Sequence, residues 1–192
     1  MPVSVSPTEE PLAGSSISTE EPLAGSSIFA EEPLAGSSIS TDLVAALRGR
    51  GETVATAESL TAGLVCAALT DVPGSSAVVR GGLIVYATDL KASLAGVDAD
   101  LLAQHGAVHP EVAAQLAEGA RLRCGATWGL GLTGVAGPDP QDGVAPGTVH
   151  IGLAHADREP SVITLRCGGD RHAVRAASRD AALSVLARHV MT

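Results

Sequence analysis

The stretch Thr56-Ala-Glu-Ser-Leu-Thr-Ala-Gly63, TAESLTAG, decides how this chain is read. It closes a short apolar run, Glu52 to Ala57, with the composition of a strand, and a helix is expected over Leu60 to Leu69. A strand that hands over to a helix through a polar turn is the building unit of a layered α/β protein. Ser59 in that turn has two readings. It is a helix cap whose hydroxyl accepts a free backbone N–H, or it is a nucleophile whose oxyanion the helix amides would stabilise.

Working outward, the same alternation recurs. Thr41-Asp42 caps a helix through LVAALRGR that stops at Gly51. Gly82 to Tyr86 reads as a strand, and Asp89 to Leu94 and Asp98 to Gln104 as short helices. Pro110 opens a longer helix on which Val112, Leu116 and Ala120 share a face. Thr127 to Thr133 is a strand followed by a glycine-rich loop to Gly147. Thr148 to Ala154 and Ser161 to Arg166 form a hairpin, and a last helix covers about 170–190. The order implies a three-layer α/β/α sandwich around a mixed, mostly parallel sheet.

Composition supports this. Apolar residues make up 45% of the 192, but aromatics only 2%, so the core is built from Ala, Val, Leu and Gly. Small residues suit close helix–sheet approach. No apolar run reaches the roughly 18 residues of a membrane span, and the N-terminus lacks the basic and apolar regions of a secretory signal. Cys66, Cys124 and Cys167 are too scattered for a disulfide framework or a metal pattern. A cytoplasmic protein with no metal and no membrane contact is expected.

The net charge of −9 is unevenly spread: Glu9, Glu10, Glu20, Glu21, Glu31 and Glu32 precede the first basic residue, Arg48, and carry six of those charges. The rest of the chain is not basic enough to bind nucleic acid through its backbone. Those glutamates belong to EEPLAGSSIST, EEPLAGSSIFA and EEPLAGSSIST, a period of 11 that sets Pro11, Pro22 and Pro33 in register. Each unit carries Pro, Gly and paired Ser, which helices disfavour, and one Leu and one Ile cannot offset the entropy of ordering the rest. Residues 1–40 are therefore expected to be a flexible acidic tail before a folded domain over 41–192. The alternative is a docking array whose three copies raise avidity.

Candidate chemistry gathers in a few places. Lys91 is the only lysine, against eleven arginines, and lies just beyond the end of a strand, where α/β ligands collect. Buried, it would lose its proton readily and act as a base; its plain reading is a solvated helix lysine. Tyr86 is the only tyrosine, with a core aromatic as its plain reading. The run GLGLTG over 129–134 matches a dinucleotide fingerprint letter for letter, but its first two glycines lie within a strand and no helix comes after it. Loop amides from Thr133 to Gly137 are candidates to cradle a phosphate. Arg171, Arg175 and Arg179 form a stripe on the last helix whose first turn could face an anion. His105 and His109 flank a glycine, which argues against a helical metal pair.

Taken together, TAESLTAG, DVPGSSAVVRGGLIVYATDLKASLAGV, GAVHPEVA, TGVAGPDP, PGTVHIGLA and GGDRHAVR, in that order, resemble the CinA C-terminal domain family, the nicotinamide-nucleotide amidohydrolases, over about residues 41–190. The resemblance implies hydrolysis of nicotinamide mononucleotide to nicotinate mononucleotide and ammonia, in pyridine nucleotide salvage, without a cofactor. It implies Ser59 as nucleophile, Lys91 as base and Tyr86 as supporting hydroxyl, with helix N-terminal amides around the oxyanion. Glu58, Thr61 and Gly63 are further candidates for the substrate site, with Glu58 read as support for Ser59 or Lys91. Thr133, Gly134, Ala136 and Gly137, with Arg171 and Arg175, would complete that site. A homodimer fits a small domain of this type. Thr88 stands where many members have Asn, His109 where many have Ser, and the loop Asp139 to Gly143 is less glycine-rich than usual. Two-domain relatives carry an N-terminal pyrophosphatase-type domain, where this chain has the repeats. The rival reading is a non-catalytic nucleotide-binding or interaction module of the same fold.

Overall fold

The computed structural model describes residues 36–192, with side-chain surroundings from residue 39 onward. The expected tail lies outside the described residues, apart from the Gly36–Ser40 portion of its last repeat. That portion is helical. Helix α1 runs Gly36–Arg50, beginning before the expected Thr41-Asp42 cap. Packing explains the extension: Ile39 lies against the core, Ser40 is buried, and Leu43 and Leu47 continue the same stripe at four-residue spacing.

The remaining elements are β1 (Val54–Glu58), α2 (Leu64–Thr70), β2 (Val79–Ile84), α3 (Thr88–Ser93), α4 (Ala99–His105), α5 (Pro110–Cys124), β3 (Trp128–Gly134), β4 (Thr148–His155), β5 (Arg158–Arg166) and α6 (Arg171–Val190). The five strands lie in the order β2-β1-β3-β4-β5. β1 pairs in parallel with β2 and β3, and β4 is antiparallel to both β3 and β5. Four strands therefore run one way and β4 alone opposes them, the mixed, mostly parallel sheet expected.

Helices cover both faces. On one, α1, α2 and α6 bury Leu43, Leu47, Leu69 and Leu183 against Val54, Leu130, Leu132 and Ile151. On the other, α5 sets Val112, Leu116 and Ala120 against Ala55 and Ala57. The second face is the tighter one. A Cβ on Gly129, Gly131 or Gly152 would collide with the α5 backbone at Ala113 or Ala117. Gly129 and Gly131 of GLGLTG thus let a helix approach the sheet and form no dinucleotide turn, in keeping with their place inside a strand. No helix among the described residues is long and apolar enough to cross a membrane.

One boundary matters for the site. The helix expected from Leu60 begins only at Leu64, because Ala62 (φ 49°) and Gly63 (φ 98°) are left-handed. With Leu64 N–H bonded to Thr61 C=O, they form a tight turn in which two successive residues have positive φ.

Candidate active site

Parallel pairing brings the C-terminal ends of three strands together. Glu58 is in register with Ile84 of β2 and Leu132 of β3. Ser59 and Val85 therefore leave β1 and β2 beside Thr133, which is still paired with β4. Ser59 N–H still donates to Leu132 C=O (3.0 Å) and Val85 N–H to Glu58 C=O (2.9 Å), so the row is fixed by main chain. Beyond it lies a cavity of about 550 Å³.

Glu58 is completely buried. Its carboxylate accepts the Thr56 hydroxyl (3.0 Å) and the N–H groups of Gly63 (2.9 Å), Val65 (3.1 Å) and Cys66 (2.9 Å). Glu58, not Ser59, therefore caps α2. Two expectations change as a result. Glu58 does not line the cavity, since all its donors come from its own strand, turn and helix. The α2 N-terminal amides are also not free for an oxyanion, because the carboxylate already occupies them. Ser59 sits upstream of the helix; it is 7% exposed, lines the cavity, and its hydroxyl has no hydrogen-bond partner among the described residues.

Lys91 is buried in the same cavity, which removes its reading as a solvated helix lysine. Its Nζ donates to Val85 C=O (2.9 Å) and Tyr86 C=O (3.2 Å). Burial pulls its pKa from 10.5 down to about 8, with Asp89 weakly opposing. A neutral amine has two N–H groups and one lone pair. The two carbonyls use both hydrogens and leave the lone pair to take a proton. Ser59 and Lys91 face the same space without a direct hydrogen bond between them.

The rim is built differently. Tyr86 is 58% exposed, which overturns its reading as a core aromatic. Its hydroxyl accepts from Arg171 (2.9 Å), whose other terminal nitrogen donates to Gly137 C=O (3.0 Å). Asp170 caps α6 by accepting Ala173 N–H, which sets Arg171 at the first helical position over the cavity mouth. Both partners of Arg171 are neutral, so its charge remains available to an anion. Gly134, Ala136 and Gly137 line the wall below it. Thr133 lines it too, but its hydroxyl donates to Ala107 C=O (2.6 Å) and Val135 N–H is committed to Thr148 C=O (2.9 Å), so these two fix the wall.

Of the residues expected at the site, Thr61, Gly63 and Arg175 do not line the cavity. Gly63 serves the turn. Thr61 is completely buried, and its hydroxyl has no partner among the described residues. Arg175 binds main chain, donating to Leu60 C=O (2.9 Å) and Thr61 C=O (3.1 Å). Sequence reasoning missed Asp139 and Gln141, which line the cavity from the proline-rich loop. Their signal was present, as polar residues in the loop after β3. Thr88 also lines it, while His109 acts elsewhere, its Nδ1 accepting Glu111 N–H (3.2 Å) as the cap of α5. Among the described residues, no group of three or more His, Cys, Asp or Glu could hold a metal ion.

A mixed α/β/α layer with a buried serine and lysine at the ends of its parallel strands is the class of protein defined so far. The family model of the CinA C-terminal domain matches residues 36–190, and the chain belongs to that family. It is 50% identical over 139 residues to a CinA-like protein of Frankia casuarinae, covering 72% of this chain and 32% of that protein. It is 48% identical over 145 residues to a CinA-like protein of an Anaeromyxobacter species, covering 75% and 35%. The chain thus spans about a third of the length of these curated relatives. Among solved structures, the competence/damage inducible protein CihA from Agrobacterium tumefaciens superposes with a TM-score of 0.80 at 31% identity, covering 85% of this chain and all of that one. A CinA superfamily protein from Klebsiella pneumoniae gives 0.78 at 28% identity, covering 82% of this chain and 99% of that one.

Proposed function

We propose that this chain is an amidohydrolase that converts nicotinamide mononucleotide to nicotinate mononucleotide and ammonia through an acyl-enzyme on Ser59. The observation that carries the reading is Lys91, the only lysine of the chain, buried in the Ser59 cavity with its pKa drawn down to about 8. A serine hydroxyl needs a base to become a nucleophile, and a lysine near neutrality is matched to that task. Ser59 Oγ attacks the amide carbon while Lys91 takes the hydroxyl proton. As the C–N bond breaks, Lys91 returns that proton to the nitrogen, and ammonia leaves. Water then adds to the ester with Lys91 again as base, releasing the carboxylate and Ser59. Entry of substrate brings hydroxyl and amine into contact, as commonly happens when an empty site fills.

Arg171 supports the mononucleotide as substrate, because an uncompensated guanidinium at the mouth suits a phosphate bidentately. Ammonia release from nicotinamide mononucleotide by the wild type and by Ser59→Ala and Lys91→Ala tests the reading, beside a panel of other amides. Each substitution is expected to lower turnover by about 10³-fold or more. Unchanged release in both variants would overturn the mechanism. Tight mononucleotide binding without turnover would favour a binding module instead.

A further inference from the structure

Arg175 serves neither the cavity wall nor an ion pair among the described residues; its guanidinium faces the main chain beside Ser59. A peptide unit is planar and trans, so holding its carbonyl also fixes the N–H on its far side. Three consecutive units after Ser59 are held in this way. The Ser59–Leu60 unit is held by Ala62 N–H on Ser59 C=O (3.1 Å), and the Leu60–Thr61 unit by Arg175 Nε on Leu60 C=O (2.9 Å). The Thr61–Ala62 unit is held by the second Arg175 nitrogen (3.1 Å) and by Leu64 N–H (3.2 Å). The neighbouring donors are committed: Ser59 N–H to Leu132, and Gly63, Val65 and Cys66 N–H to Glu58. The amides with no partner among the described residues are those of Leu60 and Thr61. Leu60 lines the cavity beside Ser59.

We propose that Arg175 is a positioning residue: by holding the Thr61 carbonyl toward α6 it fixes the Ala62 N–H in the same peptide unit, which holds Ser59 C=O and so presents the Leu60 N–H to the oxyanion formed when Ser59 attacks an amide. This rests on Ser59 being the nucleophile. In that attack the Oγ–C bond forms, the carbonyl π pair moves onto oxygen, and the serine proton goes to Lys91. The Leu60 N–H then meets a full negative charge, where a fixed donor acts most strongly. A lysine cannot replace the fork, because one ammonium does not reproduce two donors at a rigid spacing.

The test is steady-state kinetics of the full chain on its amide substrate for Arg175→Lys and Arg175→Met, with Ser59→Ala run alongside. It includes the affinity for a substrate analogue with an aldehyde in place of the amide, whose Ser59 adduct carries the same oxygen. Turnover number is expected to fall about 10- to 100-fold, KM to stay within about twofold, and aldehyde affinity to weaken by the same factor as kcat/KM. Free guanidinium added to Arg175→Ala should recover part of kcat. A raised KM with unchanged kcat means Arg175 binds substrate and overturns the proposal, as does no change in either constant. Should the Met variant fail to fold, the Lys variant and the guanidinium rescue decide. Full turnover by Ser59→Ala removes the nucleophile and the proposal with it, an outcome distinct from failure of the Arg175 variants alone.

Discussion

At the floor of the cavity and at its rim, polar groups are handled in opposite ways. The floor and the turn behind it are bonded in advance: buried Glu58 accepts four donors behind the cavity, buried Lys91 gives both hydrogens of its neutral form to carbonyls, and half-buried Arg175 grips two more. The rim is exposed, and Arg171 holds only a phenol oxygen and one carbonyl, both neutral. A group held by several buried hydrogen bonds cannot turn without losing them, so it suits charge stabilisation that requires no reorganisation. An exposed guanidinium exchanges partners at little cost. On the proposed function, chemistry belongs to the floor and recognition to the rim. Floor substitutions should change turnover and stability; rim substitutions should change KM.

The sharpest way to break that division is Lys91→Met. Turnover should vanish while stability at pH 7 rises by on the order of 1–3 kcal/mol, because a buried cation is replaced by an apolar chain of similar volume. The sign comes from linkage. The folded pKa of about 8 lies below the unfolded 10.5, so between those values the unfolded chain binds more protons than the folded one. Stability of the wild type therefore climbs with pH across that window, and below about pH 8 the cost of burying the charge is present in full. Denaturant titrations from pH 7 to 10.5 should show this rise in the wild type and lose it in the variant. Wild-type kcat/KM should also climb through about pH 8 as Lys91 becomes neutral.

Glu58→Gln is next in size. The new amide turns an NH₂ toward backbone donors, leaving buried N–H groups unpaired at a cost of about 1–3 kcal/mol. Ser59→Ala should cost almost nothing in stability by comparison, because Glu58 holds the cap. Equal losses in the two variants would return the cap to Ser59. At the rim, Arg171→Ala should raise KM about tenfold and leave kcat within about threefold, as expected for one lost charge-assisted contact. The KM difference should shrink with added salt. A kcat loss as large as the KM change would erase the distinction between floor and rim.

Much of this was legible in the residues. Strand–helix alternation foretold the layers, and a single lysine after a strand end foretold an amine in the cavity beside Ser59, because in a parallel sheet those ends converge. The division of labour within TAESLTAG was not legible. Glu58 and Ser59 are neighbours on a strand end, so they point to opposite sides, and only the tertiary fold reveals which side holds α2 and which the cavity. Arg171 and Arg175 are likewise one helical turn apart on the same stripe, yet one overhangs the mouth and the other reaches main chain. The start of α1 was hidden for another reason. GSSIST reads as tail by composition, and it is helical because Ile39 has a core to meet.

The smallest effect probes the floor most closely. Ala62 holds a left-handed conformation (φ 49°), which costs an L-residue roughly 1–2 kcal/mol. Glycine would remove that strain but lose more entropy on folding, by about 0.5–1 kcal/mol. Ala62→Gly should therefore stabilise the fold by about 0.5–1 kcal/mol, read as a rise of a few degrees in Tm. Turnover should remain within about twofold, because Arg175 and Glu58 hold the turn on both sides whatever stands at its corner. A tenfold fall in kcat with the same gain in stability would shift the source of rigidity. The restricted alanine, rather than the clamps around it, would then be what keeps the Ser59 turn in one shape.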